Sequence, residues 1–191
     1  MPKTLTFHPV TPDRWDGLVQ LFSAHGNPNY CWCQRWRMPS AEYRDAKSAE
    51  RKAALEGSVQ GGTPAGILGY LDGQPVGWCS VAPRATYQAL ERARTMKKID
   101  ERETWSIVCL FLAPAIQGQG YSEQFIAAAA DYAKASGAEV VEAYPVDPII
   151  AADGSHQAAN YRFMGYTASY QRAGFKDVTP DGAGRRIMQQ D

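Results

Sequence analysis

Residues 117–122 read QGQGYS and stand between two runs of very different character. The preceding run, WSIVCLFLAPA, is apolar almost throughout and predicts a central strand that is buried on both faces. The following run, EQFIAAAADYAKASG, predicts a helix from about Gly120 to Ser136, with Gly137 at its C-terminal cap. A strand that turns into a helix through two glycines directs unpaired backbone N–H groups toward one point. Such an arrangement suits a phosphate.

Three other interpretations of the same glycines are possible. They can serve only a tight strand-to-helix turn, and this alternative stays open. A nucleotide P-loop would need a lysine after its last glycine, and the sequence has none there. A dinucleotide fingerprint would need a third glycine where Glu123 stands, although Glu142 occupies the place of a ribose-binding acid. An antiparallel hairpin predicted just upstream argues against the doubly wound sheet that this fingerprint requires.

The composition predicts one soluble domain. The chain has 191 residues, of which 45% are hydrophobic, enough for one sizeable core, so we expect a single domain over residues 1–191. Twenty basic residues balance twenty acidic ones, so neither nucleic acid nor a membrane is an expected partner. No segment has the length of a signal peptide core or a membrane span, which predicts a cytoplasmic location. Four scattered cysteines form no disulfide framework or metal-ligand spacing, so we expect free thiols and no metal.

Periodicity and turn residues predict the remaining elements. Residues 27–39, NPNYCWCQRWRMP, fit neither periodicity and predict a loop packed against the body. Ser40 is predicted to cap a helix that Gly57 ends. Asp72 and Gly73 predict a hairpin turn. The other expected elements are a strand at Thr4–Pro9, a helix around Trp15–Phe22, a short polar helix or helical loop after Arg84, a strand at Ala138–Val146 parallel to the central one, a helix over residues 161–172, and a last strand at Arg185–Gln190.

Two motifs resemble one family. Residues 110–126, LFLAPAIQGQGYSEQFI, resemble the acyl-CoA-binding motif of the GNAT superfamily of N-acetyltransferases, with Gln117, Gly120 and Ser122 in its three defining positions. Ser122 replaces the usual Gly or Ala. Residues 169–175, SYQRAGF, resemble the Tyr-x-x-x-Gly-Phe that closes a later helix in the same superfamily. The resemblance implies an α/β fold with a mixed, partly splayed sheet and helices on both faces.

The resemblance also implies a cofactor site and a reaction. Acetyl-CoA would place its pantetheine arm and thioester along Leu110, Phe111 and Leu112. Its pyrophosphate would lie on the turn formed by Gln117, Gly118, Gln119, Gly120, Tyr121 and Ser122. The amine of a small-molecule or peptide acceptor would attack the thioester directly, and a backbone N–H of the strand would polarise the carbonyl oxygen. The first alternative is a non-catalytic acyl-CoA-binding module, and the second is a dinucleotide-binding enzyme.

Two residues are candidate catalysts. By resemblance Tyr170 is the acid that protonates the departing thiolate, and the alternative is a core aromatic whose hydroxyl is bonded elsewhere. Glu142 lies in an apolar run, where an unpaired carboxylate would be costly, so it is a candidate base. The alternative for Glu142 is an outward-facing or salt-bridged side chain. Glu103 is a second candidate base by position alone. Phe163 stands where the family often has an asparagine, which leaves the details of that helix in doubt.

The segment NYCWCQRWR is a candidate acceptor wall. Trp32, Arg35 and Trp36 could bind an anionic or aromatic acceptor, and the tryptophans could equally be core anchors of an irregular segment. Homodimers are common among proteins of this kind, so a homodimer is a further expectation.

Overall fold

The computed structural model describes residues 4–150, 156–157 and 162–191. The helices are α1 Trp15–Ser23, α2 Gly26–Cys31, α3 Ser40–Asp45, α4 Ser48–Gln60, α5 Gln88–Glu91, α6 Tyr121–Ala135 and α7 Thr167–Arg172. The strands are β1 Thr6–Pro9, β2 Ile67–Leu71, β3 Gln74–Pro83, β4 Thr104–Leu112, β5 Val140–Ala143, β6 Ile149–Ile150, β7 His156–Gln157, β8 Lys176–Asp177 and β9 Met188–Gln190. None of the helices in the described part of the chain is long and apolar enough to cross a membrane.

The main sheet is mixed. Its described strands follow the order β1-β2-β3-β4-β5-β9-β8, with β4 and β5 parallel and the other neighbours antiparallel. The predicted hairpin at Asp72–Gly73 is confirmed, because β2 and β3 pair through it and both turn residues have positive φ. A sheet with one parallel pair is not doubly wound, so the fold gives no support to the dinucleotide alternative.

The two central strands separate partway along their length. The parallel pairing of β4 with β5 begins at Thr104–Val140 and ends at Ile107–Ala143, while β4 continues beside β3 as far as Leu112. Val108 is the extra residue of a β-bulge opposite β3. The described residues supply no backbone partner on the β5 side of residues 108–112. This is the predicted splay.

Helix α6 covers one face of the sheet. Its Phe125 is fully buried and lies over Gly69 of β2 and Gly77 of β3, which are cross-strand partners. A Cβ added to either glycine would come within 2.3 Å of the Phe125 ring, so only glycine leaves room for it. The same core includes Ile107 and Val141 of the parallel strands. Burial of these apolar surfaces fixes the start of α6 over the end of β4.

Helix α1 covers the opposite face. Its buried residues Trp15, Leu18 and Phe22 pack with Leu68 of β2 and Trp78 of β3. Neighbouring residues in a strand point to opposite faces. Accordingly Ile67, next to Leu68, and Cys79, next to Trp78, belong to the core under α6. The prediction of helices on both faces is confirmed.

Three sequence-based element predictions were wrong. Residues 26–31 form helix α2 rather than a loop, because Pro28 stands in the first turn, where its missing N–H costs no helical bond. The single helix expected after Ser40 is two helices, broken at Ala46, which has extended backbone. The second of them begins where the Lys47 N–H donates to Glu50 Oε2 at 2.6 Å, and it runs through Gly57 to Gln60.

The last predicted helix is also shorter than expected. Residues Arg162–Met164 form a 3₁₀ turn, and Gly165 follows with φ 83°, so α7 starts only at Thr167. The expected first residue, Tyr161, lies outside the described residues.

Candidate functional site

The QGQGYS turn has the backbone that its glycines predict. After the 3₁₀ turn Pro114–Ile116, Gly118 has φ 74° and Gly120 has φ 80°, values in the left-handed region that disfavours side chains. A Cβ at either position would have no heavy atom within 4 Å, so the space in front of the turn is open. Helix α6 begins at Tyr121 without a side-chain cap, which leaves its first N–H groups unpaired by side chains. The turn therefore fits an anionic group such as a pyrophosphate.

Gln117 connects the turn to the strand. Its Nε2 donates to the Leu112 carbonyl oxygen at 2.7 Å, and the neighbouring Gln119 donates to the Ala115 carbonyl at 2.8 Å. These bonds occupy the last carbonyl of β4 and hold the turn directly against the end of the splayed strand.

One cavity of about 660 Å³ joins the turn, the splayed strand and the aromatic segment. Gln117, Gly118 and Ser122 line it at the turn, and β4 contributes Cys109, Leu110, Phe111 and Leu112. Gln119, Gly120 and Tyr121 belong to the same turn but do not line the cavity. The cavity thus brings together most residues of the predicted cofactor site.

The opposite wall of the cavity comes from α2, α3 and the segment between them. Arg35 and Trp36 line it together with Tyr30 and Tyr43. Arg35 is half-buried, and its guanidinium carbon lies 4.8 Å from the Trp36 ring centre and 5.9 Å from that of Tyr43. Phe163 and Tyr166, which precede α7, close the cavity from the third side. Arg35 and Trp36 thus line the cavity, while Trp36 is also buried in a core cluster, and their role in binding an acceptor stays a prediction.

Trp32 is a core residue instead. It is 2% exposed, lies 5.3 Å from the Phe22 ring centre and donates its indole N–H to Ser48 Oγ at 3.1 Å. Trp32 is absent from the described cavity lining, so its position agrees with the core-anchor alternative.

Arg51 supports the acceptor wall from behind. It is 2% exposed, and its guanidinium donates to the carbonyl oxygens of Tyr30 at 3.1 Å and Tyr43 at 2.7 Å. The same group lies 4.5 Å from the Tyr30 ring centre and 4.1 Å from that of Tyr43. Arg51 therefore fixes two cavity-lining aromatics, one on α2 and one on α3, with a single buried cation.

Three of the four free thiols face the cavity. Cys31, Cys33 and Cys109 line it, and Trp78 Nε1 donates to Cys33 Sγ at 3.3 Å. A hydrogen bond from Cys109 is the main cause that lowers the pKa of Cys33 to about 7, and the Arg37 charge acts in the same direction. Burial raises the pKa of Cys31 to about 11. The described residues contain no group of three or more side chains suited to hold a metal ion.

Tyr170 lies just behind the cavity. It is fully buried, packs edge-on against Phe175 and donates its hydroxyl to the Met164 carbonyl oxygen at 3.0 Å. Burial raises its pKa well above the ordinary value. Its helix neighbour Ser169 lines the cavity, whereas Tyr170 is not among the described lining residues.

Glu142 lies in a buried ion pair. Its Oε1 is 2.7 Å from Arg84 Nη1 and accepts a bond from the Tyr144 hydroxyl, and its Oε2 accepts from Gln189 at 2.9 Å. Both oxygens are occupied and the side chain is fully buried, which agrees with the salt-bridged alternative. Glu103 is exposed at the other end of β4, away from the cavity. Neither carboxylate lies in the described cavity lining.

Several cavity residues were not identified from the sequence. Arg51, Tyr30 and Tyr43 lie on separate helices, and only the tertiary fold brings them together. Cys33 and Cys109 are likewise far apart in the sequence, at positions 33 and 109 of 191 residues. One local signal was available. Cys31, Cys33 and Arg35 lie within five residues in one aromatic segment, so their location on the same side of a cavity was predictable for the group.

Comparisons with known proteins agree with this geometry. Residues 31–166 match the Acetyltransferase (GNAT) family. Well over half of the chain is matched, so the protein belongs to this acetyltransferase family, whose members use acetyl-CoA as co-substrate. No curated protein matches the chain by sequence.

Solved structures with the same fold span nearly the whole chain. The aminoglycoside acetyltransferase AAC(6')-Ib, in complex with paromomycin and acetyl-CoA, is 15% identical with a TM-score of 0.57 and covers 98% of this chain and 93% of its own. A polyamine N-acetyltransferase from Drosophila melanogaster is 13% identical with a TM-score of 0.56, covering 97% of both chains. The PaiA N-acetyltransferase from Thermoplasma acidophilum, in complex with coenzyme A, is 15% identical with a TM-score of 0.52, covering 98% and 99%.

Proposed function

We propose that this protein transfers the acetyl group of acetyl-CoA to the amine of a small-molecule or peptide acceptor by direct attack on the thioester. The observation that supports this most is the single cavity in which the glycine turn, the unpaired half of β4 and the aromatic wall meet. The first two elements fit the pyrophosphate and the pantetheine arm, and the third is open to an acceptor.

The backbone of β4 would position the thioester. Beyond Ile107 the strand has no described partner on its β5 side, so its peptide groups are available to the pantetheine amides. An N–H of this strand would polarise the thioester carbonyl as negative charge develops on the oxygen. The acceptor nitrogen forms the new C–N bond while the C–S bond breaks, and no covalent intermediate with the protein is needed.

Two protons must move. The acceptor ammonium loses one before attack, and an ordered water can carry it away because the described cavity lining offers no carboxylate. The departing thiolate gains the other. Tyr170 is the proposed donor, and its hydroxyl must turn from the Met164 carbonyl to reach the cavity. Hydrogen bonds of catalytic groups often tighten only in the substrate complex. Ser169, which already lines the cavity, is the second candidate for this proton.

Binding by titration calorimetry tests the cofactor site. We expect acetyl-CoA and CoA to bind and NAD not to bind. Gly120→Glu should weaken acetyl-CoA binding by at least about a hundredfold, since a carboxylate would face the pyrophosphate. The matched control is Gly182→Glu, because Gly182 also has positive φ, 74°, and open space around its Cβ position, but belongs to the connection between β8 and β9 rather than to the QGQGYS turn.

The outcomes separate the candidate functions. Acetyl-CoA binding that Gly120→Glu abolishes and Gly182→Glu preserves, together with acetylation of an amine, supports the proposed transferase. Binding without turnover of any amine points to a non-catalytic acyl-CoA-binding module. Failure of the folded protein to bind any CoA species overturns the proposal.

A further inference from the structure

The acceptor end of the cavity carries positive charge. Arg35 on the aromatic wall and Arg162, next to Phe163 on the third side, both line the cavity, and neither forms an ion pair with a residue that the structure describes. Among the described lining residues, none is an aspartate or a glutamate. Charges on this wall are therefore available to a ligand.

A third cation lies behind the same wall. The Arg51 guanidinium is buried between Tyr30 and Tyr43 and bonds only neutral carbonyl oxygens among its described partners. A buried charge that no carboxylate neutralises acts over a longer distance than one in water, because the local dielectric constant is low. Arg51 thus adds to the positive potential inside the cavity.

The shape of the wall points to an apolar body for the ligand. Tyr30, Tyr43, Trp36 and Phe163 line the cavity together with the two arginines, and the Arg35 guanidinium lies near the rings of Trp36 and Tyr43. Aromatic faces next to guanidinium groups suit a flat or apolar group that ends in an anion. A polycationic amine would meet like charge here and lose its hydration without compensation.

From these observations, and resting on the proposed acetyl transfer, we propose that the acceptor is a primary amine that also carries a carboxylate or similar anion on an apolar, aromatic body. The anion pairs with Arg35 and Arg162, and the amine points toward Leu110–Leu112 of β4. The same positive charge lowers the pKa of the acceptor ammonium, because two cations repel each other. A larger fraction of the amine is then neutral and able to attack, which suits a cavity wall without a described carboxylate base.

This acceptor class differs from those of the structural relatives. AAC(6')-Ib was solved with an aminoglycoside and the Drosophila enzyme is a polyamine acetyltransferase, and both kinds of acceptor carry several positive charges. The proposal predicts that this protein disfavours such acceptors.

A matched series of benzylamines provides the test. All share one ring and a benzylic amine, and they differ only in the para substituent: hydrogen, carboxylate, methylphosphonate or a second aminomethyl group. The kcat/KM of this diamine is halved before comparison, because either of its two amines can react. We expect kcat/KM with acetyl-CoA to be at least about tenfold higher for the carboxylate than for benzylamine, because the carboxylate can accept a charge-assisted hydrogen bond. The diamine should have a lower kcat/KM than benzylamine. The phosphonate shows whether the site prefers a carboxylate or a phosphate-like anion.

Variants locate the effect. Arg35→Gln and Arg162→Gln should each reduce the preference for the carboxylate over benzylamine by about tenfold and leave the Kd of acetyl-CoA unchanged. The control is Arg44→Gln on α3, which removes the same charge from an exposed side chain outside the cavity lining. It should leave the preference intact.

The results distinguish this proposal from the function on which it rests. If acetyl-CoA binds but no probe is acetylated, binding of each probe to the CoA complex is measured by calorimetry, and the same order of affinity is expected. Equal use of all probes, or a preference for the diamine, overturns the anionic-acceptor proposal while acetyl transfer stands. Failure to bind acetyl-CoA overturns the transferase itself.

Discussion

Arg84, directly after β3, and Glu142 of β5 form a buried ion pair with 2.7 Å between Nη1 and Oε1. Arg84 also lies 2.7 Å from Glu91 and donates to the Met96 carbonyl, so one guanidinium connects β5 to the chain between β3 and β4. Removing Glu142 would leave the buried Arg84 guanidinium with only Glu91, whose side chain is 44% exposed, as a counter-charge.

Glu142→Gln is therefore expected to lower the free energy of unfolding by about 3 kcal/mol. Urea denaturation followed by fluorescence measures this change. Glu139→Gln, at an exposed position just before β5, is the control and should change stability by less than about 0.5 kcal/mol. If Glu142→Gln instead leaves the free energy of unfolding unchanged and abolishes the rise of kcat with increasing pH, Glu142 is the catalytic base.

Tyr170→Phe tests the thiolate donor. If Tyr170 protonates the thiolate, kcat should fall about a hundredfold with an unchanged Kd for acetyl-CoA. Burial raises the pKa of Tyr170 well above its ordinary value, so the hydroxyl stays protonated through alkaline pH and kcat should not decline up to about pH 10. Stopped assays across this pH range measure both effects.

The alternative role for Tyr170 has a different signature. If the hydroxyl only bonds the Met164 carbonyl, Tyr170→Phe costs about 1 kcal/mol of stability and leaves kcat within about twofold of the parent. In that case Ser169→Ala should lower kcat by about a hundredfold.

The cavity thiols should differ in reactivity. The lowered pKa of Cys33, about 7, keeps half of it as thiolate at neutral pH, whereas Cys31, with a pKa raised to about 11, stays protonated. Alkylation by iodoacetamide is expected to be half-maximal near pH 7 in Cys31→Ser, and acetyl-CoA should slow it. In Cys33→Ser the remaining Cys31 should react only at strongly alkaline pH. Identical pH profiles for the two variants would contradict this assignment.

Arg51 is expected to be a positioning residue for the acceptor wall. Arg51→Lys keeps the charge but loses the fork that holds the carbonyls of Tyr30 and Tyr43, so the KM of the acceptor should rise about tenfold while kcat changes little. Arg44→Lys, at an exposed position on α3 next to Tyr43, should leave KM unchanged. A fall in kcat at constant KM would contradict a positioning role.

Local sequence signals predicted much of the fold. The Asp72–Gly73 turn, the apolar run of β4 and the glycines at 118 and 120 each act within a few residues, so the hairpin, central strand and start of α6 were predictable. Element boundaries depended on less visible contacts, such as the Lys47–Glu50 bond that starts α4.

The site was less predictable because it depends on distant contacts. Trp32 and Trp36 are four residues apart in one segment, and both are buried, yet they belong to different core clusters and only Trp36 is among the described cavity-lining residues. Similarly, nothing local identifies Arg84 as the partner of Glu142, since 58 residues separate them.

We propose that the splay between β4 and β5 gives acetyl-CoA a structural role when it binds. Peptide groups of residues 108–112 face an open seam, and pantetheine amides can fill it as an additional strand would. Acetyl-CoA is then part of the hydrogen-bonded sheet while it is bound. Since both acetyl-CoA and released CoA carry the same pantetheine amides, each should slow amide hydrogen exchange along β4, and the sheet should loosen again only when CoA departs.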